Sequence, residues 1–181
     1  MIVLALDPGT THTGWALIDT VGPWVVYSGK DENHAILLRG GGWGLQYAPD
    51  LILIEAMSPR GMRLGIETME ALVWTGRFIE AADAPVVRIS RDMVKETLLG
   101  KANAKGADAA IRQVLIDRWA ARAGRPLDGK AAAVGTKATP GPLYGVKADA
   151  WAAIALWEAH HDGALSVEAE RARAAARRDA A

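Results

Sequence analysis

The chain has 181 residues, half of them hydrophobic, and its 21 Lys and Arg residues balance its 21 Asp and Glu residues. This length suits one compact domain, and the absence of cysteine excludes disulfides and thiolate metal sites. No apolar run approaches the roughly 20 residues that a membrane span needs. No basic and then apolar leader precedes Asp7, so we expect a cytoplasmic protein without a membrane partner.

The predicted elements alternate between helices and strands after an opening of three strands. Apolar runs bounded by Gly, Pro or Asp predict the strands, and apolar residues at helical spacing predict the helices. The predicted strands are Met1–Asp7, Thr13–Asp19, Trp24–Ser28, Leu51–Glu55 and Pro85–Ile89. The predicted helices are Ile66–Ala82, Arg91–Leu99, Asp108–Ala123 and Lys147–His161. This order predicts an α/β fold, a mixed five-stranded sheet with helices on both faces.

Three stretches fall outside this pattern. Residues 30–48 are ambiguous, because a helix could begin near His34 while Gly40-Gly41-Gly42 disfavours a long one. Residues 124–145 are predicted to form a long loop rich in Gly, Pro and Lys, and long loops are usually functional or disordered. Residues 163–181 are predicted to form a charged helical tail, so the domain is placed at residues 1–162.

The charges are unevenly distributed along the chain. Residues 1–87 hold ten acidic and five basic residues, whereas residues 88–130 hold ten basic and five acidic residues. An acid-rich first part beside a basic middle is expected if the first part holds metal and the middle holds phosphate. Ordinary charge scatter is the alternative explanation of the same counts.

Three acids stand at the ends of apolar segments. Asp7 closes the first strand, Glu55 closes the fourth, and Asp149 lies in the first turn of an apolar helix. An ionised carboxylate at such a place is costly to bury unless a cation or hydrogen bonds compensate. Acids from separate elements are what a divalent-metal site needs. A turn-forming role for Asp7 and an exposed position for Glu55 are the alternatives.

Three motifs carry a resemblance to a known family. They are Leu6-Asp7-Pro8-Gly9-Thr10 with Thr13-Gly14-Trp15-Ala16, then Leu53-Ile54-Glu55, then Asp149-Ala150-Trp151-Ala152. In this order they resemble the RuvC family of Holliday junction resolvases, above all its phage-type members, over residues 1–161. The resemblance implies a ribonuclease H-like fold and a Mg²⁺-dependent crossover junction endodeoxyribonuclease, with Mn²⁺ as the alternative ion. It also implies a homodimer that acts on branched DNA in the cytoplasm of a bacterium or of a phage-infected host.

The same resemblance assigns Asp7, Glu55 and Asp149 to metal-binding and catalytic roles in two-metal phosphodiester hydrolysis. The family usually has a further Asp or His shortly before the last acid, but here those positions hold Val146, Lys147 and Ala148. Because Lys147 is the polar side chain among them, we expect it to act in catalysis by orienting the attacked phosphate or the water. An exposed residue at the start of the helix is the alternative.

Basic residues in turns and loops predict contacts with the DNA backbone. A Gly- and Lys-rich turn between two predicted helices presents positive charge to phosphates, and the loop after Glu55 lies beside the predicted metal site. The predicted DNA-binding residues are Arg60, Arg63, Arg91, Lys95, Lys101, Asn103, Lys105, Arg112 and Lys137. A solubilising charged surface is the alternative for the turn.

Two further points concern assembly and rival functions. The helix Ile66–Ala82 is the predicted dimer contact, although packing on the sheet competes for the same face; the residues are Met69, Leu72, Val73, Gly76 and Phe78. One rival function is a ribonuclease H-like RNA-processing nuclease with the same acids. The other is an actin-like or sugar-kinase-type ATP-binding domain, whose phosphate hairpin is similar to the first motif but which needs two such domains.

Overall fold

A computed structural model describes residues 1–22, 24–40, 48–57, 64–101 and 106–163. Five strands in these ranges form a mixed sheet in the order β3-β2-β1-β4-β5. The strands are β1 (Ile2–Pro8), β2 (His12–Asp19), β3 (Trp24–Glu32), β4 (Leu51–Ala56) and β5 (Val86–Ser90). The first three strands are antiparallel to one another, whereas β4 runs parallel to β1 and β5 runs parallel to β4.

Helices cover both faces of this sheet. The helices are α1 (Asn33–Gly40), α2 (Ile66–Glu80), α3 (Arg91–Leu99), α4 (Ala107–Arg122), the short α5 (Lys130–Ala133) and α6 (residues 151–163). Two 3₁₀ turns, Pro126–Asp128 and Ala148–Ala150, precede α5 and α6. The predicted α/β fold with a mixed five-stranded sheet is confirmed.

The core has two parts because alternate residues of each strand face opposite sides of the sheet. One face, with Leu4, Leu6 and Leu17, packs against α1 and α2. The opposite face, with Val3 and Ala5, packs against α3, α4, α5 and α6. The two faces explain why β1 reads as an uninterrupted apolar run: both sides of this central strand are buried.

Strand β3 is four residues longer than the predicted strand, which ended at Ser28. The added residues, Gly29 to Glu32, carry no apolar pattern, but they pair in register with β2. Glycine at position 29 leaves room for the ring of Trp15, because an added Cβ would lie in tight contact with it, at 3.1 Å. The Trp15 indole in turn donates a 2.7 Å hydrogen bond to Asp31. Cross-strand contacts therefore extend the strand beyond the limit that its hydrophobic pattern indicates.

The stretch 124–145 is packed against the domain rather than forming the predicted open loop. It contains the 3₁₀ turn and α5, and Leu143 within it is completely buried. Gly141 lies so close to α5 that an added Cβ would come within 2.4 Å of the Ala132 carbonyl oxygen. The Gly and Pro residues that suggested a loop thus allow a close approach of two backbone segments.

The predictions for the tail, for a membrane span and for the last helix have different outcomes. The predicted tail, apart from Gly163 at the end of α6, falls on residues 164–181, which the structure does not describe. Within the described ranges, no helix is long and apolar enough to cross a membrane. The predicted helix Lys147–His161 begins later than expected, because residues 148–150 form the 3₁₀ turn and α6 follows from residue 151.

Candidate active site

A row of residues across three strands forms the base of the candidate site. Asp7 on β1 lies opposite Gly14 on β2, and Gly14 lies opposite Lys30 on β3. Cross-strand partners project from the same face, and the preceding residues of that face are Ala5 and Ala16. The row therefore continues the buried face of the sheet at the end where polar groups replace apolar ones.

Glu55 joins this row from the neighbouring parallel strand. Leu6 on β1 lies beside Ile54 on β4, so the next residues of the two strands, Asp7 and Glu55, also come together. Their carboxyl groups are close enough for Asp7 to raise the pKa of Glu55. The sequence places each acid at the end of an apolar strand, and the parallel pairing of the strands brings the two ends to the same edge.

The carboxyl group of Glu55 is in an unfavourable environment for a negative charge. The residue is only 9% exposed. Its pKa is raised from 4.5 to about 8, first by burial and then by the hydrogen bond to Asp7 and the negative charge of Asp7, while Arg91 acts in the opposite direction. In the absence of a bound cation, the Asp7–Glu55 pair therefore holds a proton at neutral pH.

Arg91 is the basic group nearest to this pair. It is the first residue of α3, directly after Ser90, whose hydroxyl accepts a 3.2 Å hydrogen bond from the Met93 amide and caps the helix. One guanidinium nitrogen lies 3.6 Å from the Glu55 carboxylate, and another is paired with Asp108 at the start of α4. Arg91 thus links α3 and α4 to the acid pair.

Asp149 lies next to this row, in the 3₁₀ turn that precedes α6. Its backbone lies directly on Gly14, where an added Cβ would come within 2.2 Å of the Asp149 carbonyl oxygen and 3.8 Å of the Asp7 Cβ. Its carboxylate is 3.1 Å from the Lys30 ammonium, and both side chains are about half exposed. The absence of a side chain at position 14 therefore positions Asp149 beside Asp7.

The turn between β1 and β2 is fixed by Asn33, which is buried. The Asn33 side chain accepts a 2.7 Å hydrogen bond from the Thr13 hydroxyl and donates a 3.0 Å hydrogen bond to the Gly9 carbonyl. The Gly9 amide closes the turn on the His12 carbonyl at 3.0 Å. These bonds hold the segment that follows Asp7, and they satisfy buried polar groups that would otherwise be costly.

These groups line a cleft of about 370 Å³. Its walls include all three predicted acids together with four residues of charged type: Lys30, Arg91, Asp108 and Arg112. The Arg112 guanidinium lies 4.7 Å from the ring centre of Trp151, a cation–π contact that holds the arginine at the cleft. The cleft therefore combines a carboxylate pair with cations from β3, α3 and α4.

The acids present a partial match to the predicted metal centre. In the described ranges, no group of three or more His, Cys, Asp or Glu side chains is arranged to hold a metal ion. The expected set of three acids is instead a pair, Asp7 with Glu55, and a third acid, Asp149, engaged by Lys30. The pair fits a hard divalent cation, since the half-buried Asp7 and the buried Glu55 place two carboxyl groups together without a full counter-charge.

The other predicted site residues are distributed unevenly around the cleft. Arg91 and Arg112 line it, whereas Lys95 is half-buried on α3 and Lys101 and Lys137 are exposed outside the lining. Lys147 is exposed and also lies outside the lining. The predictions for Arg60, Arg63, Asn103 and Lys105 fall outside the described residues.

Sequence reasoning missed Lys30 and Asp108 as cleft residues. Lys30 was beyond the predicted end of β3, and the cross-strand register that brings it opposite Gly14 is not visible in its hydrophobic pattern. The neighbouring Gly29 was a possible signal, because a glycine leaves room for the Trp15 ring on the adjacent strand and so allows β3 to continue through Lys30. Asp108 reads in the sequence as an ordinary acid in the first turn of a helix.

Known structures share this architecture. The structure of Thermus thermophilus RuvC is similar to this chain, with a TM-score of 0.60 and 18% sequence identity. The match covers 92% of this chain and 96% of the RuvC chain. The chain has a RuvC-type fold. A second RuvC structure from T. thermophilus, in complex with a Holliday junction substrate, gives a TM-score of 0.59 at 16% identity over the same shares of the two chains. No family model and no curated protein sequence matches the chain.

The carboxylate pair lies at a position in the sheet where ligands commonly bind. Asp7 and Glu55 stand at the ends of the two central parallel strands of the RuvC-type fold. In open α/β sheets the crevice outside the carboxyl ends of parallel strands is where ligands bind. The cleft is therefore the place on this RuvC-type fold where a substrate would be expected.

Proposed function

We propose that the protein is a divalent-metal-dependent endonuclease that resolves four-way (Holliday) and related branched DNA junctions. The observation that carries the proposal is the Asp7–Glu55 carboxylate pair at the ends of the central strands of a RuvC-type fold. The solved RuvC bound to a Holliday junction supports branched DNA as the substrate class. The proposal makes the protein a hydrolase of phosphodiester bonds.

Asp7 and Glu55 would hold the divalent ion, for which Mg²⁺ is our proposal and Mn²⁺ the alternative. Such an ion supplies an activated water nucleophile and neutralises charge on the phosphate. Asp149 completes the predicted catalytic set from the start of α6. The burial of Glu55 supports this assignment, because the energetic cost of keeping that acid ionised falls when a cation lies beside it.

The cations of the cleft would bind and orient the DNA backbone. Arg112 is an exposed arginine in the lining of the cleft. Its fork of donors matches the geometry of phosphate oxygens, and its position over Trp151 limits its freedom. Arg91 is engaged by two acids, so we propose that it fixes Glu55 in place and contacts DNA as a secondary role.

The decisive experiment is cleavage of a labelled four-way junction with and without Mg²⁺, comparing the wild-type protein with Asp7→Asn. We expect the substitution to lower the cleavage rate by at least ~100-fold, the scale of losing several kcal/mol of transition-state stabilisation. Junction binding should remain, because the shape of the side chain is retained. A matched control is Asp117→Asn, at an exposed acid of α4 outside the cleft.

The same substrates distinguish the rival functions. An RNA flap or hairpin cleaved in place of the junction would favour a ribonuclease H-like RNA-processing nuclease. Binding of ATP in a titration would favour the actin-like alternative. Full activity of Asp7→Asn, or cleavage without a divalent ion, would contradict the proposed mechanism.

We also propose that two copies of the chain associate through α2. The helix leaves Ile66, Met69 and Val73 exposed at 69%, 48% and 61%, and an added Cβ at Gly76 would meet open space. Phe78, another of the residues predicted to form the dimer contact, is instead buried against the sheet. The exposed stripe supports a second copy as the partner, because a symmetric resolvase acts on two strands of a junction.

A further inference from the structure

Lys30 is the cation of the cleft that the proposed reaction has not yet used. Its ammonium group lies 3.1 Å from the Asp149 carboxylate. An ion pair between two half-exposed side chains contributes roughly 0–1 kcal/mol to stability. Its location in a cleft with three further acids, Asp7, Glu55 and Asp108, therefore calls for a different explanation from the stability of the fold.

The backbone fixes this pair more firmly than the side chains do. Lys30 lies directly opposite Gly14 in the β2–β3 register, and the Asp149 backbone rests on Gly14 from above the sheet. The backbone positions of Lys30 and Asp149 are therefore both set by their contacts with Gly14. Gly14 therefore brings the Lys30 ammonium group close to the Asp149 carboxylate, and it also allows Asp149 to lie beside Asp7.

The charges of the cleft are divided among separate partners. Asp7 and Glu55 contact each other, Arg91 is shared by Glu55 and Asp108, and Lys30 engages Asp149. A divalent ion shared by Asp7 and Asp149 would have to lie close to the Lys30 ammonium. Unit charges 4 Å apart interact by about 1 kcal/mol in water, so a divalent ion and the ammonium group would repel each other by about 2 kcal/mol there and by several times more in a partly buried site.

We propose that Lys30 takes the place of a second metal ion, so that the site binds one divalent ion, at the Asp7–Glu55 pair. Lys30 is then a positioning residue that holds Asp149 and contributes a fixed positive charge beside the scissile phosphate. This inference rests on the proposed nuclease function and narrows it from two metal ions to one. It also accounts for the arrangement of the predicted acids, in which Asp7 and Glu55 lie together while Asp149 is paired with Lys30.

The test counts metal ions in the full chain without DNA. The metal-stripped protein is titrated with Mn²⁺, and bound ions are counted by calorimetry and by the loss of free Mn²⁺ signal in electron paramagnetic resonance. We expect one ion for the wild-type protein and for Lys30→Arg, which keeps the charge. We expect two ions for Lys30→Met, because Asp149 is then released. Lys130→Met, at an exposed lysine outside the cleft, should bind one.

Cleavage provides an independent reading of the same proposal. The rate of junction cleavage should rise with the first power of Mg²⁺ concentration for the wild-type protein and with a higher power for Lys30→Met. Circular dichroism establishes that each variant is folded.

Each outcome of the titration has a distinct meaning. Two ions in the wild-type protein would overturn the inference and leave the proposed nuclease function intact. One ion in Lys30→Met would overturn the role of Lys30. No ion in the wild-type protein would contradict the proposed metal-dependent function itself.

Discussion

Glu55 is a buried acid whose surroundings strongly disfavour its ionised form. It is 9% exposed, touches a second carboxyl group and has a pKa of about 8. The unfolded chain would ionise the same group near its ordinary value of 4.5. Folding of the metal-free protein therefore binds a proton at neutral pH, and its stability depends on pH through this acid.

The sign of that dependence gives a first prediction. The contribution of Glu55 is fully present below pH 4.5 and is lost as the pH rises through about 8. In EDTA, the wild-type protein should lose on the order of a few kcal/mol of unfolding free energy between pH 5 and pH 9 through this group, while Glu55→Gln loses much less. Urea unfolding at both pH values measures the difference.

Two further results would bear on this prediction. Addition of Mn²⁺ at pH 9 should restore stability to the wild-type protein but not to Glu55→Gln, because a bound cation replaces the proton. Equal pH dependence of the two proteins would contradict the unfavourable ionisation of Glu55. Glu96→Gln, at an exposed acid of α3, serves as the matched control.

Single residues were predictable where one strand defined them, and less so where two strands had to be paired. Asp7 and Glu55 each follow an apolar run, so their positions at strand ends can be deduced from the sequence. Asp31 lies beyond the predicted end of β3, yet it accepts the indole hydrogen bond of Trp15 from the neighbouring strand. The partner of Lys30 lies 119 residues away, and no local pattern indicates it.

Between elements, the main polar link joins α4 to α6. Glu158 on α6 is completely buried and accepts hydrogen bonds from Trp119 at 2.7 Å and from Arg122 and Arg118 of α4. The two guanidinium groups remain about a quarter to a third exposed. This network fixes the orientation of α6, whose start carries Asp149 into the cleft.

Removal of this carboxylate should therefore destabilise the protein strongly. We expect Glu158→Gln to lower the unfolding free energy by about 3 kcal/mol, because two arginines and an indole lose their shared charged acceptor. Chemical denaturation monitored by tryptophan fluorescence measures the loss. Asp162→Asn, at the more exposed partner of Arg118, should cost less than about 1 kcal/mol, and an equal loss in both variants would contradict the central role of Glu158.

Most elements could be predicted from periodicity, and their ends less well. The helices α2, α3 and α4 follow apolar residues at helical spacing, and their observed bounds lie within two residues of the predicted ones. Residues 124–145 could not be predicted in the same way, because Gly and Pro mark both open loops and segments that pack closely on a neighbour. The contact of Gly141 with α5 is tertiary, so local propensity does not reveal it.

For the whole molecule, folding brings the acid-rich first part and the basic middle together. The paired acids of the cleft, Asp7 and Glu55, come from β1 and β4, and its arginines come from α3 and α4, which lie in the basic stretch. Acids from the acid-rich first part of the sequence and arginines from its basic middle therefore meet in one cleft. The mixed five-stranded sheet was predictable from the order of elements, whereas the assembly of chains was not, because an apolar helix face serves packing and association equally well.

The proposed association of two chains gives a prediction at this scale. Val73→Glu should weaken the dimer at least ~10-fold, because it places a charge in the exposed apolar stripe of α2 that a partner would bury. Sedimentation velocity over a concentration series measures the effect. Val21→Glu, at an 84% exposed residue in the turn after β2, should leave the dimer unchanged. A wild-type protein that sediments as a monomer at every concentration would contradict the proposed interface.

Gly14 has a consequence for how this protein can diverge. The contact at this position joins two main chains, Gly14 with the carbonyl group of Asp149, and any larger residue would bring a carbon within 2.2 Å of that oxygen. Carbonyl groups are present in every amino acid, so no replacement at position 149 removes the obstruction. Any side chain at position 14 must therefore displace one of the two backbone segments, and a change of side chain at position 149 cannot relieve that displacement.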